Sequence, residues 1–209
     1  RGAVVAARAL SGELQPLELA RVASVPYEAF RRRFSFACSD FAGFDADRLY
    51  PAWIADGLFL SNWALAQDPF VVRTCLRAAR VVNCTPDHPC PFEGDGVAYL
   101  RVPVRDEQGE DLLAHLARAV AFIGAGLASG PVLVHCRHGQ SRSAAVVAAW
   151  LMSTRGWSVE RSLEHLRRCR PRARPNPGFL RQLERFGTAA HEAPEEAGAG
   201  ACPGKSAQP

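Results

Sequence analysis

Apolar residues follow two patterns that alternate along the chain between residues 54 and 186. Four short apolar runs have the length and composition of buried β-strands: residues 54–60, 81–85, 97–104 and 132–134. Five longer segments repeat apolar residues with the spacing of amphipathic or buried helices: residues 68–76, 113–127, 142–154, 159–170 and 177–186. Strands that alternate with helices predict an α/β fold with a mainly parallel central sheet and helices on both faces.

Turn and cap residues indicate where several of these elements begin and end. The pair Asp56-Gly57 divides the first apolar run into two strands joined by a tight turn. Gly156 ends the third helical segment, and Ser158 and Asn176 are suitable N-cap residues for the two helices that follow. The local sequence therefore defines both the elements and several of their boundaries.

The chain divides by composition into three parts. Residues 1–45 are rich in alanine and arginine and have helical patterns at 16–23 and 27–34. Residues 46–187 hold the alternating strands and helices and predict one domain. Residues 188–209 are small, polar and rich in glycine, alanine and proline, which predicts a disordered tail.

Composition excludes some broad classes of protein. The 209 residues are 48% hydrophobic, which suffices for a buried core and excludes disorder throughout. The net charge of +4 is modest, and Lys205 is the only lysine, so the basic residues give no clear sign of a nucleic-acid-binding protein. The longest apolar run, residues 144–152, is far shorter than the roughly 18 residues of a membrane span, so no membrane partner is expected.

The seven cysteines predict a reducing compartment, the cytoplasm or the nucleus. Their number is odd and they form no Cys-x-x-Cys pair, which argues against a disulfide framework. Cys84, His88 and Cys90 lie close together, but three ligands without a fourth make a poor zinc site. No metal ion or other cofactor is expected.

The candidate chemistry lies where the strand at residues 132–134 passes through a glycine-containing turn into a helix. Such a turn leaves backbone N–H groups that converge at the positive end of the helix dipole, which is a binding site for phosphate and other anions. Cys136 stands where these donors converge, so its thiolate would be stabilised. Arg142, at the first turn of the helix, can bind an oxyanion with its planar guanidinium group.

Attack of a thiolate on a phosphate ester requires residues of these types. Cys136 would be the nucleophile, and the hydroxyl group of Ser143 could donate a hydrogen bond to the sulfur when it later leaves. The alternative, a structural cysteine at the end of a core strand, explains neither Arg142 nor the polarity of the loop. The sequence therefore favours a catalytic cysteine.

The pattern HCxxGxSRS at residues 135–143 resembles the active-site signature of cysteine-based protein phosphatases, in its dual-specificity form. Residues 170–183 are similar to the segment that closes dual-specificity domains, and the resemblance covers roughly residues 49–187. Residues 27–34 are faintly similar to the end of a rhodanese-like domain. The N-terminal part is therefore either a truncated rhodanese-like remnant or an ordinary helical lead-in.

The resemblance implies a three-layer cysteine-phosphatase fold and hydrolysis of phosphotyrosine and phosphoserine/threonine esters through a phosphocysteine, without a cofactor. It implies a phosphorylated protein partner, for which a kinase is one candidate. His135 would orient Cys136 and help to keep it ionised. The phosphate-binding residues would be Arg137, His138, Gly139, Gln140, Ser141 and Arg142.

Asp106 is the candidate general acid, because the leaving oxygen needs a proton and Asp106 follows the strand predicted at residues 97–104. In a parallel sheet, Asp106 and Cys136 follow strand ends that open on the same crevice. Glu107, Glu110 and Asp111 compete for the role, although the last two are better explained as charges in the first turn of a helix.

Two alternatives to a protein phosphatase remain. His138-Gly139 resembles the corresponding residues of cysteine-dependent RNA 5′-triphosphatases, and a row of arginines could bind RNA or form a solvated face: Arg167, Arg168, Arg170, Arg172 and Arg174. The second alternative is a catalytically weak module that binds phosphorylated partners.

Cys84 has two interpretations of its own. It ends a strand that should neighbour the Cys136 strand, so it is either a core cysteine or the partner of Cys136 in a protective disulfide after oxidation.

Overall fold

The computed structural model describes residues 51–192, with side chains through Thr188. The helices predicted at 16–23 and 27–34, the question of a rhodanese-like remnant and most of the predicted tail lie outside these residues.

Five strands form one mainly parallel sheet: β1 (Ala52–Ala55), β2 (Leu58–Asn62), β3 (Arg80–Asn83), β4 (Ala98–Arg101) and β5 (Val132–Cys136). Their order across the sheet is β1-β2-β5-β3-β4. The pairs β2–β5, β5–β3 and β3–β4 are parallel, and β1 pairs with β2 in the antiparallel direction. The predicted mainly parallel sheet is confirmed, and β5 lies at its centre.

The antiparallel pair β1–β2 turns at Asp56-Gly57, as predicted. Both residues have positive φ angles, 52° and 88°. Two successive residues with positive φ angles form a two-residue hairpin turn. The backbone twist of such a turn matches the twist of the strands on either side of it. This hairpin places β2 beside β5, with Asn62 next to Cys136 in the register.

The helices are α1 (Trp63–Ala66), α2 (Leu113–Leu127), α3 (Arg142–Arg155), α4 (Val159–Cys169) and α5 (Pro177–Glu192). The segment predicted as a helix at residues 68–76 is a six-residue π-helix, Phe70–Cys75, closed by the N–H of Leu76 bonding the carbonyl of Val71 at 2.9 Å. None of the helices within residues 51–192 is both long and apolar enough to span a membrane.

Helices cover both faces of the sheet, but unequally. One face packs against α2, α3, α4 and α5, whose apolar side chains share a single core with the strands. The opposite face is covered by α1, the π-helix and the long connection before β4, which contribute Ala66, Val72 and Phe92. The fold therefore has the three layers that the sequence predicts, with one thick and one thin helical layer.

Helix α3 is the central helix of the thick layer. Its first eleven residues, 142–152, are all buried, so of the helices predicted as amphipathic or buried, this one is buried on all sides. Gly156 ends it with a left-handed φ of 61°. Because α3 begins at Arg142, the arginine and the loop before it are fixed by the most deeply packed helix of the domain.

Strand β4 and helix α5 differ clearly in length from their predictions. The strand predicted at residues 97–104 forms a ladder only over β4, because Pro103 has no N–H to contribute to a sheet. Helix α5 continues to Glu192, five residues beyond Gly187, since no glycine or proline follows until Pro194.

Candidate active site

The loop between β5 and α3 surrounds the sulfur of Cys136 with hydrogen-bond donors. The backbone N–H of Gly139 lies 3.2 Å from Sγ, and the hydroxyl group of Ser143 donates to Sγ at 3.1 Å. The cysteine is only 1% exposed. Two donors directed at one sulfur stabilise negative charge on it, which is what a thiolate nucleophile requires.

The carbonyl groups of this loop are bonded to supporting elements on its outer side. The carbonyl of Arg137 accepts from the backbone of Trp63 at 3.2 Å, and that of Gln140 accepts from the backbone of Arg174 at 2.7 Å. The carbonyls of His138 and Gly139 accept from the side chain of a buried arginine. Because a peptide N–H points opposite to its C=O, these bonds leave the N–H groups available to an anion.

The side chains of the predicted phosphate-binding residues differ widely in exposure. Those of Arg137 and His138 are exposed, Gln140 is half-buried, and Ser141 is buried. The exposed side chains of Arg137 and His138 point to a role of their backbone N–H groups, and phosphate binding by this loop stays a prediction.

Arg142 is almost completely buried, with 7% exposure, beside the loop. One terminal nitrogen donates to the carbonyl of Val104 at 3.2 Å, while the buried Nε has no hydrogen-bond partner among the described residues. In addition, no side chain caps the N-terminus of α3. A buried guanidinium N–H and an uncapped helix end are both satisfied by a bound oxyanion.

Position 139 of this loop requires a glycine. Its φ of 65° is left-handed, and a Cβ at this position would lie 2.5 Å from the carbonyl oxygen of Ser61 on β2. The glycine therefore allows the loop to turn tightly against β2, which brings its N–H to Cys136.

His135 is buried behind the loop, with 1% exposure, and its ring lies 5.8 Å from that of Trp63. Burial lowers the pKa of His135 to about 3, against a smaller opposing contribution from the backbone of Cys136. The imidazole is therefore neutral at neutral pH and does not stabilise the thiolate by positive charge. The predicted contribution of His135 is restricted to orienting the loop.

The neutral state of His135 makes the stability of the fold dependent on pH. Because the pKa of His135 is lower in the folded chain than in the unfolded chain, the unfolded chain binds a proton more readily. The contribution of this group to the free energy of unfolding is therefore fully present above about pH 6.5 and is lost as the pH falls toward 3. Between pH 6.5 and 4 the loss due to this group is expected to reach about 3 kcal/mol.

Urea unfolding at several pH values checks this prediction. His135→Gln should show a shallower loss of stability below pH 6.5 than the wild type, whereas His115→Gln on α2 should keep the wild-type slope. Equal slopes in wild type and His135→Gln would contradict the neutral buried histidine.

Asp106 is bonded directly to the loop between β5 and α3, residues 137–141 (the phosphate loop). Its Oδ1 accepts from the hydroxyl group of Ser141 at 2.5 Å and from the side-chain amide of Asn176 at 3.0 Å. Of the competing carboxylates, Glu110 accepts from the backbone of Arg105 and Asp111 accepts from the first turn of α2, whereas Glu107 is exposed. The structure thus brings Asp106 to the loop that holds Cys136.

Arg170 is a residue of this site that the sequence analysis assigned to a different group. It is 1% exposed, and it donates to the carbonyls of Gly139 at 2.7 Å and His138 at 3.3 Å. A signal was present, because Arg170 continues the apolar stripe formed by Val159, Leu163 and Leu166 on α4. It is therefore not part of a solvated arginine face.

The loop after β3 is pinned beside the site by Asn83 and Arg101, which both donate to the carbonyl of His88. The ring of His88 stacks on Trp63 at 4.5 Å and 3°. The sulfur of Cys90 accepts from Arg101 at 3.3 Å. Within the described part of the chain, no group of three or more potential metal ligands is close enough to hold an ion.

Cys84 is completely buried, and its N–H donates to the carbonyl of His135 at 2.8 Å. Burial, with a smaller contribution from neighbouring Cys136, raises the pKa of the Cys84 thiol well above its usual range. It is therefore a protonated core thiol in the reduced protein. The disulfide with an oxidised Cys136 stays a prediction.

Comparison with protein families matches residues 58–189 to the family model described as "Dual specificity phosphatase, catalytic domain". Human dual specificity phosphatase 28 is 47% identical over 106 residues, which are 50% of this chain and 60% of the relative. Rat dual specificity protein phosphatase 12 is 38% identical over 141 residues, 66% of this chain and 42% of the relative. This chain therefore spans about half the length of these two relatives.

The same similarity extends to solved structures. The crystal structure of human DUSP28 has 40% sequence identity and a TM-score of 0.62, and the match covers 68% of this chain and 95% of that chain. The crystal structure of DUSP15 has 31% identity and a TM-score of 0.63, and covers 68% and 90%.

Proposed function

This chain belongs to the dual specificity phosphatase family, and on that premise we propose that it hydrolyses phosphotyrosine and phosphoserine or phosphothreonine in protein substrates. The observation that supports this most directly is the donor set around Cys136. The N–H of Gly139 and the hydroxyl of Ser143 both donate to its sulfur, at the end of a helix whose first residue is a buried arginine with an unsatisfied Nε. A thiolate beside an oxyanion site is suited to attack on a phosphate ester.

The proposed first step transfers the phosphoryl group to sulfur. The thiolate of Cys136 attacks phosphorus, the bond between phosphorus and the ester oxygen breaks, and Asp106 gives its proton to that oxygen. Arg142 and the loop N–H groups bind the three remaining phosphate oxygens, whose charge is spread in the transition state.

The second step returns the enzyme to its starting state. Water attacks the phosphocysteine and gives a proton to Asp106, and the sulfur leaves as a thiolate stabilised by the hydroxyl of Ser143. Every proton and electron pair in this cycle is supplied by the chain, the ester or water, so the proposed chemistry needs no cofactor.

The proposed partner is a phosphorylated protein, with a kinase as one candidate, in the cytoplasm or the nucleus. The RNA 5′-triphosphatase alternative receives no support from Arg170, which is buried against the phosphate loop. Arg168 is paired with Glu164 at 2.5 Å on the surface of α4. Arg170 is therefore not available to an RNA-binding face, whereas the other four arginines of the row are exposed.

A substrate panel in the presence of EDTA tests the proposal on the full chain. Phosphotyrosine and phosphothreonine peptides should both be hydrolysed, and 5′-triphosphorylated RNA should be hydrolysed at least about a hundredfold more slowly in kcat/KM. Faster hydrolysis of RNA would favour the RNA alternative, and phosphopeptide binding without turnover would favour a binding module.

A further inference from the structure

The carboxylate of Asp106 is held by a residue from the far end of the domain. Asn176 precedes α5, and its side-chain amide uses both ends: Nδ2 donates to Asp106 at 3.0 Å, and Oδ1 accepts from the N–H of Phe179 at 3.0 Å. The backbone N–H of Asn176 also donates to the hydroxyl of Ser141 at 3.0 Å. One residue therefore bonds the carboxylate, the phosphate loop and the helix end together.

The first turns of α5 hold the rest of the Asp106 segment, residues 102–112, which connects β4 to α2. A Cβ at Gly178 would lie 2.1 Å from the carbonyl oxygen of Gln108, so the two backbones are in direct contact there. The side chain of Gln182 accepts from the N–H of Leu113 at 2.7 Å and donates to the carbonyl of Glu110 at 2.8 Å. The segment is thus attached to α5 at several points in addition to Asn176.

We infer that Asn176 is a positioning residue for proton transfer, which directs the carboxyl group of Asp106 toward the phosphate loop while α5 holds the segment behind it. This inference rests on the proposed role of Asp106 as general acid. A hydrogen bond from a neutral amide to Oδ1 fixes the orientation of the carboxyl group and leaves its other oxygen free to transfer the proton.

A purely structural role for Asn176 as a helix cap makes a different prediction. A lost cap destabilises the helix and lowers activity on all substrates by the same factor. A misplaced acid instead slows those substrates most whose leaving group needs a proton. The phenol of tyrosine, with a pKa of about 10, is such a leaving group, whereas 4-nitrophenolate leaves more readily as the anion.

The experiment measures kcat/KM for phenyl phosphate and for 4-nitrophenyl phosphate with the full chain. Asn176→Ser keeps a residue that can cap α5 but is too short to reach Asp106. Gly178→Ala displaces the segment from a second point of contact. Ser158→Ala is the matched control, because it removes the cap of α4, where Ser158 accepts from Arg161 at 3.3 Å, and leaves the Asp106 segment intact.

Asn176→Ser and Gly178→Ala should lower activity on phenyl phosphate about tenfold more than on 4-nitrophenyl phosphate, and Ser158→Ala should affect both substrates equally. Equal losses on the two substrates in Asn176→Ser would overturn the inference. Asp106→Asn is the reference: if it changes the substrate ratio and Asn176→Ser does not, only the role of Asn176 is wrong. If Asp106→Asn leaves the ratio unchanged, the general-acid assignment fails first and the inference with it.

Discussion

Cys136→Ser is expected to lower kcat on phosphotyrosine peptides by on the order of 10⁴-fold or more. A serine hydroxyl must lose a proton to attack phosphorus, and the groups that contact position 136, the N–H of Gly139 and the hydroxyl of Ser143, are donors. The neighbouring His135 is buried at the end of β5, and burial lowers its pKa. The site thus stabilises an anion that cysteine can supply and serine cannot.

Steady-state hydrolysis and phosphopeptide binding, measured side by side, check this expectation. The Cys136→Ser variant should still bind phosphopeptide, because Arg142 and the loop N–H groups are unchanged. Cys90→Ser is the matched control, since Cys90 lies on the loop after β3, where its sulfur accepts from Asn83 and Arg101. Activity retained by Cys136→Ser would exclude a phosphocysteine mechanism.

Asp106→Asn is expected to lower kcat on phosphotyrosine peptides about 10²- to 10³-fold. An asparagine oxygen can still accept from Ser141 and Asn176, so the side chain should keep its place. What the variant loses is the proton for the leaving oxygen in the first step and the base for water in the second. The loss therefore measures proton transfer and not a change of fold.

Glu107→Gln provides the matched control, because Glu107 is the adjacent exposed carboxylate and its replacement should leave kcat nearly unchanged. A burst of 4-nitrophenolate, measured by rapid mixing, adds a second readout. In Asp106→Asn the burst should approach one equivalent of enzyme, because the phosphocysteine accumulates when its hydrolysis lacks a base. A larger loss in Glu107→Gln than in Asp106→Asn would contradict the assignment.

The parts of the site that could be predicted from the sequence are those encoded by neighbouring residues. Cys136, Gly139 and Arg142 lie within seven positions, and the change from a strand to a helix around them follows from local patterning. Their geometry is therefore largely set by one turn. Asp106 could be placed at the same crevice because parallel strands end on one side of a sheet.

The parts that could not be predicted depend on contacts between distant residues. Arg170 lies in a row of arginines, a residue type that is usually exposed. Its place in the apolar stripe of α4 indicates burial, but its bonds to the loop carbonyls appear only in the folded structure. Asn176 was predicted as a helix cap, and it is one, but its second bond to Asp106 spans 70 positions. The neutral state of His135 likewise results from burial in the folded chain.

The elements on the sheet face with the thin helical layer could not be predicted from the sequence either. The segment around Val72 has helical spacing, yet it closes as a π-helix, which hydrophobic spacing alone does not distinguish from an α-helix. Helix α1 has only four residues, fewer than a periodic pattern needs to be recognised. The side chain of Asn62 caps α1 by accepting from the N–H of Leu65, and both elements contribute buried residues to the core on this face.

Attachment of the Asp106 segment to α5 also has a consequence for biosynthesis. Gln182 and Asn176 bond residues about 70 positions earlier in the chain. The thiol of Cys136 and the arginine of α3 are synthesised before the residues that complete the site, and at about 5–20 residues per second the delay amounts to several seconds. During that interval a nascent chain has its nucleophile but no positioned acid, so the proposed phosphatase activity should begin only when α5 has left the ribosome.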